Sequence, residues 1–283
     1  MKYANTYTVR NIEIDPFYRI KPYHLCSYAQ DTVASWLADI GCASYDLQRE
    51  GQSWILTGMY TDFSSELPVW RSDVQVSIWV RKIRGLQFLI DFEVTGGQAI
   101  GRTDGHPGGQ TSADPDGDAS GGAGGRGSTE DNLAFTSKDT LFARGTSSWS
   151  VIDESERRLI RRPDIAEKIE IVPVEACPGV QLRKILKHDG PSTTFSQTVH
   201  NYDIDFNGHL NSIRYIGGAL EAIPLEYRRE RVLKNIHIKY SHEAVAGDRL
   251  TCSCHTSAEG DHFYHRLFNQ RGLDVAFMNT EWI

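Results

Sequence analysis

One helical run followed by several strand-like runs, and then the same order a second time, is the feature that most constrains this chain. From His24 onward Leu25, Ala29, Val33, Trp36, Leu37 and Ile40 keep helical spacing, and Gly41 is a natural stop. An extended stretch at 6–14 precedes this helix, and strand patterns follow it at 54–61, 74–81, 86–94 and 140–152. In the second half an extended stretch at 195–202 leads into a helical pattern at 209–223, and strands are predicted at 235–241, 249–257, 262–270 and 274–283. The helical runs begin alike, His24, Leu25 and Ser27 against His209, Leu210 and Ser212, at an offset of 185 residues. A repeat of this kind points to duplication, and 283 residues suit two domains. A helix with several antiparallel strands is what a sheet wrapped around a central helix requires. At that offset Asp205 and Asn207 fall opposite Ile20 and Pro22, so one polar site per chain is expected.

Two segments interrupt the plan. Residues 95–137 are dense in Gly, Asp and Ser, with almost no aliphatic side chains to offset ordering entropy, and read as a disordered insert between two hairpin strands. Asp114, Asp116 and Asp118 resemble the start of a calcium loop, but Ala119 replaces its glycine and the closing Glu is missing. Residues 153–190 read as a linker broken by Pro163, Pro173 and Pro178. The domains are therefore expected at 1–152 and 191–283.

A net charge of −7 argues against a nucleic-acid partner, which needs a basic footprint. No run approaches the roughly 18 apolar residues of a membrane helix, and the start has no signal-peptide core, so a cytoplasmic protein of bacterial type is expected. The five cysteines lack zinc-ligand pair spacing and read as buried thiols. His237, His242, His262 and His265 lie on apparent strands without a metal motif, and no cofactor is expected. Gly217 and Gly218 sit inside a helical pattern, where each costs roughly 1 kcal/mol relative to Ala, and close approach of sheet or ligand is the expected compensation.

The stretch 201–224 carries the chemistry. Asp205, Asn207 and His209 alternate along an apparent extended end, with a helix expected from Leu210. A carboxylate, a carboxamide and an imidazole at a helix mouth suit a reaction that builds charge on a carbonyl oxygen. The same residues also suit a plain turn and helix cap.

The run Asp205, Asn207, His209 and Asn211, followed by Tyr215, Ile216 and Glu221, resembles the D-x-N-x-H-x-N signature of the plant and bacterial acyl-acyl carrier protein (acyl-ACP) thioesterases. Glu66, Leu67, Pro68 and Trp70 in the first half, and Arg144, Gly145, Thr146, Ser148 and Trp149 further on, are similar to the same family. The resemblance implies an α+β fold of tandem hot-dog domains, each an antiparallel sheet around a central helix, and hydrolysis of fatty acyl-ACP to free fatty acid. It places Glu243 beside His209. Ala244 follows Glu243 where plant members often carry Cys, which removes a cysteine nucleophile.

The expected roles are water activation by Glu243 and His209, oxyanion binding by Asn207 and helix N-terminal amides, and orientation of His or Asn by Asp205. Direct attack by Asp205 stays open. So do an acyl-CoA substrate, a hot-dog dehydratase and a non-catalytic acyl-thioester sensor. Trp36 and Trp70 could line the acyl pocket or be ordinary core. Arg157, Arg158, Arg161 and Arg162, and then Arg228, Arg229, Arg231 and Lys234, are either solvated surface or a steering patch for acidic ACP. A monomer or a homodimer would each satisfy the tandem arrangement.

Overall fold

A computed structural model describes residues 2–96 and 140–283. The glycine- and aspartate-rich run, with Asp114, Asp116 and Asp118, falls outside the described residues.

The first half contributes β1 (Tyr3–Thr8), α1 (Tyr23–Asp39), α2 (Ser44–Gln48), β2 (Gln52–Phe63), β3 (Asp73–Arg84), β4 (Gln87–Gly96), β5 (Thr140–Asp153), β6 (Arg158–Ile160) and α3 (Pro163–Glu167). The second contributes β7 (Ser192–Thr198), α4 (Ser212–Leu220), α5 (Leu225–Glu230), β8 (Leu233–Tyr240), β9 (Arg249–Thr256), β10 (His262–Asn269) and β11 (Asp274–Trp282).

The strands form one antiparallel sheet in the order β1-β3-β4-β5-β2-β8-β11-β10-β9-β7, with β6 beside β5. Read outward from the β2–β8 seam, the two halves list the same positions: β2, β5, β4, β3, β1 against β8, β11, β10, β9, β7. At the seam Gly58 to Asp62 pair with Lys239 to Asn235. Each half packs its sheet on a helix, α1 through Leu25, Val33 and Leu37, and α4 through Tyr215, Ile216 and Leu220. Burial of each such aliphatic side chain is worth about 1.5–3 kcal/mol. This is the double hot-dog fold.

Two turns differ from expectation. The stretches 6–14 and 195–202 are not extended throughout: β1 and β7 end at Thr8 and Thr198, and 3-10 turns follow at Asn11–Glu13 and Asn201–Asp203. Gly145 explains one motif glycine, because a Cβ there would overlap the Tyr60 carbonyl and the Phe92 ring across the sheet.

Segment 171–180 crosses the outer face of β3 and β4. Trp79 Nε1 donates to the Val174 carbonyl at 2.8 Å, and the Ala176 N–H donates to buried Asp91 at 2.8 Å. Trp79, Ala176 and Cys177 make a small second core there. All five cysteines are buried and free. Among the described residues no helix is long and apolar enough to cross a membrane.

Candidate active site

The stretch from Asp205 to His209 is a closed loop, not the expected extended end. Ile204 and Leu210 bridge its base, and the Asp205 N–H donates to the His209 carbonyl at 2.8 Å. Gly208 takes φ +81°, a left-handed turn that glycine adopts without a steric cost. Asp205 Oδ1 accepts the N–H groups of Asn207 at 2.9 Å and His209 at 3.4 Å. The carboxylate therefore fixes both neighbours through their backbones. The helix begins at Ser212, later than expected, because Asn211 caps it by accepting the Ile213 N–H at 3.1 Å.

Glu243 follows β8 and is held through its neighbour. The Ala244 N–H donates to Tyr215 Oη at 2.9 Å, and the Ala244 carbonyl accepts the Leu210 N–H at 2.8 Å. Burial pushes the Tyr215 phenol well above its ordinary range, so it stays neutral and keeps this contact. With both anchors in place, His209 Nε2 lies 3.3 Å from Glu243 Oε2. Arg157, in the turn after β5, meets the same oxygen. Gln48, at the end of α2, donates to Asn207 Oδ1 at 3.0 Å.

Asp205, Asn207, His209 and Glu243 all line one cavity of about 1090 Å³. Its apolar part comes largely from the first half, including Val33, Leu37, Trp54, Leu56 and Trp149. The cavity can accept a long apolar chain whose polar end meets the four side chains. Trp36 packs against the core and Trp70 is exposed, so neither tryptophan singled out from the sequence lines it.

The sequence reading missed Gln48 and Arg157 as neighbours of the site. The arginine run around Arg157 is largely spent inside the chain. Arg158 pairs with Glu156, and Arg162 with Glu50 and Asp164. In the second group Arg228 pairs with Glu221 and Lys234 with Asp62. His237 binds the Leu182 carbonyl, and His265 lies against Thr280. Among the described residues no group of His, Cys, Asp or Glu is placed to hold a metal ion.

The internal repeat also needs correcting. Asp15 accepts the N–H groups of Phe17 and Arg19, both at 2.9 Å, as Asp205 does for Asn207 and His209. Ile14 and Ile20 bridge that loop as Ile204 and Leu210 bridge the other. The halves therefore align at an offset of 190, Asp15 on Asp205, and not at 185. The first half keeps the loop-forming Asp; Phe17 and Arg19 stand at the positions of Asn207 and His209.

Residues 187–283 match the family model for the acyl-ACP thioesterase C-terminal domain. That match takes in Asp205, Asn207, His209 and Glu243, and over it the chain is similar to the acyl-ACP thioesterases. Among plant acyl-ACP thioesterases it is 30% identical over 152 residues to the chloroplastic acyl-ACP hydrolase FATB3 of Cuphea viscosissima, covering 50% of this chain and 37% of that protein. It is 32% identical over 175 residues to the chloroplastic oleoyl-acyl carrier protein thioesterase 2 of Arabidopsis thaliana, covering 50% and 48%. The chain thus spans less than half the length of either relative. An acyl-ACP thioesterase of Bacteroides thetaiotaomicron superposes over 100% of this chain and 98% of its own, with TM-score 0.74 at 18% identity. The 12:0-ACP thioesterase of Umbellularia californica superposes over 100% and 97%, with TM-score 0.73 at 16% identity. These two structures share the fold.

Proposed function

We propose that the chain hydrolyses the thioester of fatty acyl-ACP and releases the free fatty acid. The observation that carries this reading is the His209–Glu243 pair, 3.3 Å apart, at the wall of a large, mainly apolar cavity that also holds Asn207. A water held beside the His209–Glu243 pair passes its proton to that pair as its oxygen attacks the thioester carbonyl. Asn207 Oδ1 is occupied by Gln48, which leaves the Asn207 NH₂ as a donor to the developing oxyanion. Asp205 positions the loop, and its Oδ1 is already bonded to two backbone N–H groups, which favours this role over direct attack. The tetrahedral intermediate then collapses, the carrier thiolate leaves and takes that proton from the His209–Glu243 pair, and the acid stays in the cavity until release. The acyl chain lies among Val33, Leu37, Trp54 and Leu56.

The test is thiol release from acyl-ACP and from acyl-CoA of matched chain length, with wild type and Glu243→Ala side by side. Release from ACP that disappears in the variant is the expected result. Release from CoA alone would move the substrate to the CoA ester, and acyl binding without turnover would make the protein a sensor.

A further inference from the structure

A second cavity, of about 520 Å³, stands to α4 as the candidate active site stands to α1. Its rim includes the Asp15–Arg19 loop. Helix positions correspond as well: Ser27, Gln30 and Asp31 line the larger cavity, and Gly217, Leu220 and Glu221, at the same offset of 190, line this one. Leu67, from the segment after β2, lines it as Glu243, from the segment after β8, lines the other. With Arg19 at the position of His209 and Leu67 in place of Glu243, the His–carboxylate pair of the larger cavity has no counterpart here.

Three observations point to an anionic amphiphile as its occupant. Ile20, Val199, Leu210, Ile213, Leu233 and Trp282 give it an apolar lining. Gly217 sits inside α4, where a Cβ would meet nothing closer than the Tyr23 ring at 3.9 Å. Gly218 differs, since Gln197 crowds it, so the bare surface at Gly217 serves the cavity and not helix packing.

The third observation is charge. Ion pairs neutralise Arg19 with Asp15, Arg214 with Asp203 and Arg228 with Glu221. Arg231, also on the lining, lies over the Tyr227 ring and pairs with no carboxylate among the described residues. Arg228 Nε is buried with no hydrogen-bond partner among the described residues, an N–H that a ligand oxygen would satisfy.

We propose that this cavity is a second, non-catalytic site for free fatty acid, with the carboxylate on Arg228 and Arg231 and the chain along the apolar lining. The choice of the released acid as ligand rests on the proposed function.

The experiment is photo-crosslinking of the full chain with a diazirine-bearing dodecanoic acid, with labelled peptides read by mass spectrometry and thiol release from acyl-ACP measured on the same samples. Wild type is expected to carry label both on peptides of the larger cavity, around Trp54 and Trp149, and on peptides around Val199 and Leu225. Gly217→Leu, which fills the second cavity and favours the helix, and Arg228→Met are each expected to lower only the second set, by about tenfold or more. Label confined to the larger cavity overturns the second site and leaves the proposed function standing. Second-set label that is indifferent to both variants also overturns it. Label in the second cavity without any thiol release supports the site and counts against the proposed function.

Discussion

Gln48 of the first half donates its Nε2–H to Asn207 Oδ1 of the second, at 3.0 Å. A carboxamide held by its oxygen keeps its NH₂ free for another partner, and Asn207 lines the cavity. Orientation of the candidate oxyanion donor thus depends on a residue from the other half of the fold.

The consequence is measurable. Gln48→Glu puts an acceptor where a donor was, so the Asn207 amide turns its NH₂ to the new carboxylate and away from substrate. Loss of an oxyanion donor typically costs about 10²-fold or more in kcat, and that drop is expected for Gln48→Glu, with a milder one for Gln48→Ala. Equal, near-normal rates in both variants would remove Asn207 from the oxyanion role.

Tyr215 offers a second test, because it acts on Glu243 at one remove. Tyr215→Phe leaves the buried Ala244 N–H without its acceptor, at a cost of about 1–3 kcal/mol in stability. The Leu210–Ala244 bond remains, so the fold should hold while Glu243 gains slack against His209. A lower denaturant midpoint together with reduced kcat is expected. A loss of stability with unchanged kcat would show that Ala244 does not need this anchor to present Glu243.

Asp205 and Asp15 support the same loop in the two halves, which makes them a matched pair of controls. Asp205→Asn keeps an oxygen for the Asn207 and His209 N–H groups, so a positioning role predicts at most about tenfold loss of rate, from the weaker neutral acceptor. A nucleophilic Asp205 predicts complete loss in the same variant. Asp15→Ala should lower stability as much as Asp205→Ala does, yet leave turnover far less affected. Measured rates and melting temperatures of the three variants separate these outcomes.

The strands and the twofold plan were legible because alternation in 74–81 and the run of strands after each helix are period-two signals that survive burial. The loop at 205–209 was not. Its shape comes from Gly208 at positive φ and from one carboxylate oxygen bonding two backbone N–H groups, neither of which leaves a periodic trace. The repeat was misaligned by five residues for a related reason. Matching His24 to His209 assumed that both helices start at their histidines, whereas α1 starts just before His24 and α4 three residues after His209. Proximity of Glu243 to His209 came from family resemblance and not from spacing. Gln48 and Arg157 reach the site from the first half and from the turn after β5, and no local pattern announces such contacts.

Acid stability gives the last prediction. His265 is buried between Cys252 Sγ at 3.8 Å and Thr280 Oγ1 at 3.1 Å, and burial pushes its pKa from 6.5 down to about 3. The folded chain keeps this imidazole neutral at pH values where the unfolded chain protonates it. Between pH 6.5 and about 3 the unfolded state therefore binds the extra proton, and stability falls as pH falls. The contribution is complete above pH 6.5 and declines below it by at most ~1.4 kcal/mol per pH unit. His24, pushed down to about 4 by burial, adds a slope of the same sign over a shorter range. In His265→Gln, which has no proton to gain, unfolding free energy from denaturant titrations at pH 6.5, 5.5 and 4.5 should fall less steeply than in wild type, whatever the variant's stability at neutral pH. Identical slopes would mean that His265 is protonated in the folded protein, and the buried neutral contact with Thr280 would be wrong.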